Sequence, residues 1–167
     1  MRKRRTNGKT AGRESALRLD HYLPYRLSVS ANAVSQLIAC AYHARFGLTV
    51  PQWRLIAVLA EDGPQTQLEL CTRTVMDKVA ISRAAAALSE RGLLSRTPNS
   101  ADGRSHRVDL TAQGKSLFAE VAPLALRYEA RLLETFSDSE RRKAHNLLRR
   151  LEAAAAKLVE LTEAEGG

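Results

Sequence analysis

Two capped helical stretches lie so close together between Thr66 and Gly92 that only a tight turn fits between them. Thr66 followed by Glu69 is a capping box, in which hydroxyl and carboxylate each satisfy an amide that the first helical turn leaves free. It opens a short helix that carries Leu68, Leu70 and Cys71 inward and fades near Thr74. Asp77 then caps a second helix, Lys78 to Arg91, which buries Ile81, Ala84, Ala85 and Leu88, leaves Lys78, Ser82 and Arg83 outside, and stops at Gly92. Two short helices joined tightly, the second with a polar forward face, read as a helix-turn-helix.

The flanking segments extend this pattern. Leu93 to Thr97 is a short strand, Pro98 to Gly103 is turn-rich, and His106, Val108 and Leu110 alternate with Arg107 and Asp109 in a returning strand. A two-stranded ribbon alone is barely stable in water, so it must lean on the helices, as a wing does. Upstream, Leu27, Val34, Leu37, Ile38 and Ala41 form one stripe of a helix from Tyr25 to about Phe46, ended by Gly47. Thr49, Pro51 and Gln52 start the next helix, which runs through Trp53, Leu55, Ile56 and Leu59 to the Asp62-Gly63-Pro64 break. Downstream, Thr111 starts a long helix through Leu117, Phe118 and Val121, with Pro123 bending it, to about Thr135. Ser137 and Glu140 cap a last helix in which Leu147, Leu148, Leu151, Ala154, Ala155, Leu158 and Leu161 recur at three- and four-residue spacing.

The expected fold is mainly α: a winged helix-turn-helix with a two-stranded β-wing and long N- and C-terminal helices. Residues 19–167 form one domain, with the winged module over 49–111. The helices of 19–48 and 112–162 carry more apolar face than that module can cover. Pairing with a second copy through them is the economical way to hide it.

The formal charge of +8 points to an anionic partner, because clustered Lys and Arg displace the counterions condensed on a polyanion. Six of the 26 basic side chains (Arg2, Lys3, Arg4, Arg5, Lys9, Arg13) fall within the first thirteen residues of a basic tail over 1–18, which is either a solvated disordered run or an arm touching DNA phosphates. No apolar core follows that run and no stretch reaches eighteen apolar residues, so a cytoplasmic location is expected. Cys40 and Cys71 are too few and too far apart for a disulfide framework or a zinc site, and among apolar helical neighbours both are expected to be buried, reduced thiols. No Gly-rich phosphate loop, nucleophile elbow or metal-ligand cluster appears, so neither an enzyme nor a cofactor is expected.

In this order, the segments resemble the multiple-antibiotic-resistance regulators, the MarR family, over about Leu19 to Leu161. The strongest likeness is MDKVAISRAAAALSERGLLSRTPNSADGRSHRVDLTAQG, which is similar to the family's recognition helix, its Arg-Gly-Leu exit and its wing. The wing motif, Asp-x-Arg, five residues, then Leu-Thr, is met by Asp102, Arg104, Leu110 and Thr111. The resemblance implies an obligate homodimer built from the first and last helices, bound to a pseudo-palindromic operator and acting by default as a repressor.

In such a dimer the two recognition helices enter successive major grooves about 34 Å apart. Lys78, Val79, Ser82 and Arg83 lie near the helix start, where side chains reach base edges, with Arg83 the first choice for direct readout; Thr66 and nearby amides would hold phosphate. The resemblance makes Arg104 the wing arginine that enters the minor groove, oriented by Asp102. Arg96 and Arg107 either reach phosphates, pair with Asp109, or face water.

Family members often sense small aromatic acids in a cleft between the dimerisation helices and the winged module. Tyr25, Arg26, Ser30, His43, Trp53 and Arg54 together offer ring surface, hydrogen bonds and a cation for such an effector, although ordinary helix packing is the preferred reading of Tyr25 and of Trp53 taken singly, and a surface or satisfied histidine that of His43. The segments LPYRLSVSANAVSQLIACAY and FGLTVPQWRLIAVL are similar to the branch that regulates phenolic-acid catabolism, which implies a phenylpropanoid, a benzoate or a coenzyme A thioester. A thiol-based redox sensor and a protein-binding winged module are the rival readings.

Overall fold

The computed structural model describes residues 17–100, 102 and 105–165. The basic run within residues 1–16 and Arg104 lie outside the described residues. The chain divides into two compact units between Gln36 and Leu37. In the first, a single 3-10 turn at Leu19–His21 leads into the start of α1 (Leu23–Phe46), and none of its described residues is buried.

The second unit begins within α1, whose Ala41 and Tyr42 are its two buried residues. There follow α2 (Val50–Asp62), β1 (Gln65–Thr66), α3 (Gln67–Thr74), α4 (Lys78–Glu90), β2 (Leu94–Pro98), β3 (His106–Leu110), α5 (Ala112–Leu132) and α6 (Asp138–Glu165). The caps form as the sequence requires. At Thr49 and Gln52, and again at Thr66 and Glu69, hydroxyl and N3 side chain exchange hydrogen bonds with each other's amides. Asp77 accepts from the Ala80 amide, Thr111 from Gly114, and the Ser137 amide donates to Glu140. α4 ends in a Schellman arrangement, Leu93 N–H to Leu88 C=O and Gly92 N–H to Ser89 C=O, with Gly92 at φ +68°. Pro123 is accommodated inside α5, which continues through it to Leu132.

The sheet corrects one expectation. It has three antiparallel strands in the order β1-β3-β2, since Gln65 pairs with Val108 and Thr66 with Arg107 across β3. The two residues of β1, the second of them the α3 cap itself, are too few to show an alternation, yet they cover the edge that a two-stranded wing would leave open. β2 and β3 pair from Leu94 with Leu110 to Pro98 with His106.

The core of this unit gathers Tyr42, Leu48, Leu55, Ile56, Leu70, Ile81, Leu88 and Val121, all almost fully buried. Val108 and Leu110 close it from the sheet. Gly114 explains how α5 starts so near the wing: a Cβ there would lie 2.2 Å from the Leu93 carbonyl oxygen. The same junction is tied by the Thr111 amide to Leu93 C=O and the Thr111 hydroxyl to Gly92 C=O, at 3.1 and 2.7 Å.

Three burial expectations fail. Leu68 is 77% exposed, because α3 turns Leu70 and Thr74, one turn apart, to the core and Leu68 falls on the far side. Cys40 is exposed and Cys71 half-buried. α1 commits its Ala41–Tyr42 face to the core and leaves Cys40 outside.

Candidate nucleic-acid interface

The helix-turn-helix is assembled by caps at both helix starts and by one strained turn. Val75, between α3 and α4, sits in the left-handed region (φ 54°, ψ 38°), a conformation a β-branched residue rarely adopts. Asp77 then fixes the α4 start, so Lys78, Val79, Ser82 and Arg83 all emerge exposed from its first turns. Arg83 makes no hydrogen bond or ion pair with any described residue, so its five donors are uncommitted among the described residues.

The α3 start is electrostatically braced. The Thr66 amide donates to Glu69 Oε2 at 2.6 Å while the Thr66 hydroxyl accepts from the Glu69 amide. Hydrogen bonding to the carboxyl by the Thr66 amide first and the Thr66 hydroxyl second, with the Arg107 charge adding to them, holds Glu69 below its usual range. Arg107 donates to the Pro64 carbonyl and lies 3.8 Å from Glu69, so its partners are Pro64 and Glu69; the Asp109 carboxylate instead accepts from the Leu110 amide. Arg107 thereby links β3 to the entrance of α3. Arg96, on β2, is exposed.

Between α3, α4 and the wing runs a cleft of about 630 Å³. Leu70, Ile81 and Val108 line it on the apolar side, and Lys78, Ser82, Arg96 and Asp102 among others line its polar side. The wing end is shaped by turns in which Asp102 N–H donates to Asn99 C=O and Ser105 N–H to Asp102 C=O, with the Asn99 amide side chain on Ser105 Oγ at 2.8 Å. Of the nine DNA candidates, Thr66, Lys78, Ser82, Arg96 and Asp102 share this cleft. Val79 and Arg83 stand exposed on α4, Arg107 braces the wing, and Arg104 is outside the described residues.

Sequence reading missed Gln67. Its Nε2 donates to Ser82 Oγ at 2.6 Å and to the Lys78 carbonyl at 3.4 Å, bridging α3 to α4. The available signal was its position, one residue past the Thr66 cap, where a polar side chain on the first turn faces the neighbouring helix.

The effector candidates are placed as follows. Tyr25, Arg26 and Ser30 are exposed on α1 in the first unit. In the second, the His43 ring nitrogen Nδ1 is 3.2 Å from the Leu48 carbonyl, to which it donates. Trp53 is half-buried, stacked on Phe118 at 5.8 Å between centroids and tilted against Tyr42 at 5.5 Å. Arg54 is exposed, and its charge partly offsets the burial that raises the Tyr42 hydroxyl above the usual phenol range. The 630 Å³ cleft is lined by none of these six residues.

Comparison with known proteins gives a consistent picture. Residues 46–105 match the model of the MarR family. The transcriptional repressor NicR of Pseudomonas putida is 29% identical over 104 residues, 62% of this chain and 66% of that protein. A MarR/EmrR family regulator of Acinetobacter sp. ADP1 superposes with a TM-score of 0.77 at 26% identity, over 84% of this chain and 99% of the other. A probable transcriptional regulator of Pseudomonas aeruginosa is 30% identical, with a TM-score of 0.69 over 80% of this chain and 99% of its own.

Proposed function

This chain belongs to the MarR family of winged-helix transcription regulators, and on that premise we propose that it is a cytoplasmic homodimeric repressor holding a pseudo-palindromic operator. The observation that carries the reading is the α4 face. Lys78, Ser82 and Arg83 stand in solvent at the start of a capped helix, beside a wing that presents Arg96. An uncommitted guanidinium at that place suits the O6 and N7 acceptors of guanine, and Lys78 and Arg96 suit phosphate. On the resemblance of its Asp-x-Arg wing motif, Arg104 is the arginine assigned to the minor groove. Thr66 spends its own amide on Glu69, so its part at a phosphate is limited to its hydroxyl.

Pairing through the terminal helices is supported by α6, which has no buried residue and exposes Leu147, Leu148, Leu151, Leu158 and Leu161. A contiguous apolar face of this kind is an interaction surface. Release by a small aromatic carboxylate or its coenzyme A thioester is the regulation we propose, on the resemblance of the first two helices to regulators of phenolic-acid catabolism. Such a ligand acts only through its differential affinity for two spacings of the recognition helices.

The test is electrophoretic and anisotropy binding of the purified protein to duplex DNA from upstream of its own coding sequence, with and without a panel of benzoates, phenylpropanoids and their thioesters. Saturable binding that a panel member weakens supports the whole reading. Binding indifferent to the panel removes the effector and leaves the regulator. A second reading, a protein-binding winged module, draws on the exposed apolar Leu68, Val75 and Val79 around the same helices. Absence of binding to any duplex, with the dimer intact, would favour it.

A further inference from the structure

The Gln67–Ser82 bridge has a hydrogen-bond arithmetic that makes it more than a strut. The Lys78 carbonyl can only accept, so it fixes the Gln67 amide with Nε2 toward α4 and Oε1 away from it. Both Nε2 hydrogens are then used, one on Lys78 C=O and one on Ser82 Oγ. Ser82 Oγ, already accepting at 2.6 Å, has its own hydrogen left to give, and it gives it to no described residue. Gln67 Oε1 likewise receives nothing from any described residue. The pair therefore presents a hydroxyl donor and an amide acceptor side by side, near the start of α4, the helix assigned above to the major groove. Adenine is the only base whose major-groove edge carries both complements, an acceptor at N7 and a donor at N6.

We propose that Gln67 and Ser82 together read one adenine of the bound duplex, the Ser82 hydroxyl donating to N7 and Gln67 Oε1 accepting from N6. The inference rests on the DNA-binding reading above and deepens it, by assigning base specificity to an α3 residue that acts through α4. Arg83, four residues past Val79 on the same helix, reads separately. Losing either member removes one of the two contacts: without Gln67 the acceptor for N6 is gone, Ser82 Oγ can donate to N7 of either purine, and the preference for adenine over guanine goes. Without Ser82, Gln67 keeps its anchor on Lys78 and retains only the N6 contact.

The experiment is selection of binding sites from a randomised duplex pool by the full-length wild type, Gln67→Ala and Ser82→Ala, followed by competition with modified duplexes. Wild type should select a site with a strongly preferred adenine at one position. Both variants should lose about tenfold in preference at that position relative to the others in the site. Replacing that adenine with 7-deazaadenine should weaken wild type about tenfold and Ser82→Ala hardly further; replacing it with purine, which lacks the N6 amine, should do the same for Gln67→Ala. If wild type selects a clear site but both variants select it unchanged, or the position affected is not adenine, the pair is not the reader and the regulator stands. If wild type selects no sequence at all, the DNA-binding reading falls and the adenine reader with it.

Discussion

The winged module and α6 solve the problem of apolar surface in opposite ways. In the module, Leu55, Ile56, Leu70, Ile81, Leu88, Val108 and Leu110 are buried by one another, and helix starts are closed by their own caps. α6 is 28 residues long, is capped just as well at Ser137, and buries nothing, with Leu158 64% exposed. Local hydrogen bonding is therefore equally good in the two regions, and only long-range packing separates them. The module is complete within a single chain, whereas α6 carries a face that one chain leaves in water. Fully burying a leucine contributes about 1.5–3 kcal/mol, so covering several of them is enough to drive association.

The largest expected effect breaks the contrast from the α6 side. Leu151→Glu with Leu158→Glu should turn a dimer into a monomer at micromolar concentration by sedimentation equilibrium, and weaken operator binding a hundredfold or more, while the module keeps its helical circular dichroism. A dimer that survives would place the covering surface elsewhere. Next, Gly114→Ala attacks the module itself. The new methyl meets the Leu93 carbonyl at the root of the wing, and overpacking of this kind costs about 1–3 kcal/mol. Thermal unfolding should show that loss, with dimerisation affected only through it.

Val75 offers a change of opposite sign. Relieving a left-handed β-branched residue should stabilise Val75→Gly by about 0.5–1 kcal/mol in urea unfolding, since the strain of that conformation is about 1–2 kcal/mol and glycine returns about 0.5–1 kcal/mol of it as unfolded-state entropy. The smallest effect is on pH. Glu69 is held below its ordinary range by the Thr66 amide first, then the Thr66 hydroxyl and the Arg107 charge, and Glu140 by the Ser137 hydroxyl and amide. A carboxyl lowered in the folded state contributes stability above its unfolded pKa, and loses it as pH falls through the folded value. Acid unfolding should therefore be slightly shallower in Glu69→Gln than in wild type, whereas neutral-pH stability should fall slightly.

The order of helices, the three pairs of capping residues and both long wing strands were legible because they depend on residues within a few positions of one another. Thr66 with Glu69 needs no knowledge of the rest of the chain. Leu68 and Cys40 were misjudged for the converse reason: which side of a short helix faces inward is set by what packs on it, and an apolar residue next to the true stripe looks the same in sequence. β1 was invisible because two residues show no alternation, and Gly114 because its reason is a carbonyl 21 positions earlier. At the candidate interface, Arg83 could be nominated from its position on the helix. The partners of Arg107, Pro64 and Glu69, lie 43 and 38 residues away, and only the fold brings them together.

The central claim, that a charged helix and wing bind duplex DNA with sequence preference, is tested most directly by measuring the affinity of the full-length protein for a selected duplex and for its scrambled counterpart across a salt series. The expected result is a linear fall of log K with log salt, of slope about −5 or steeper if six or more phosphates are engaged, with the selected duplex bound at least a thousandfold tighter at physiological salt. Equal binding to both duplexes, or an affinity that salt hardly changes, would contradict it.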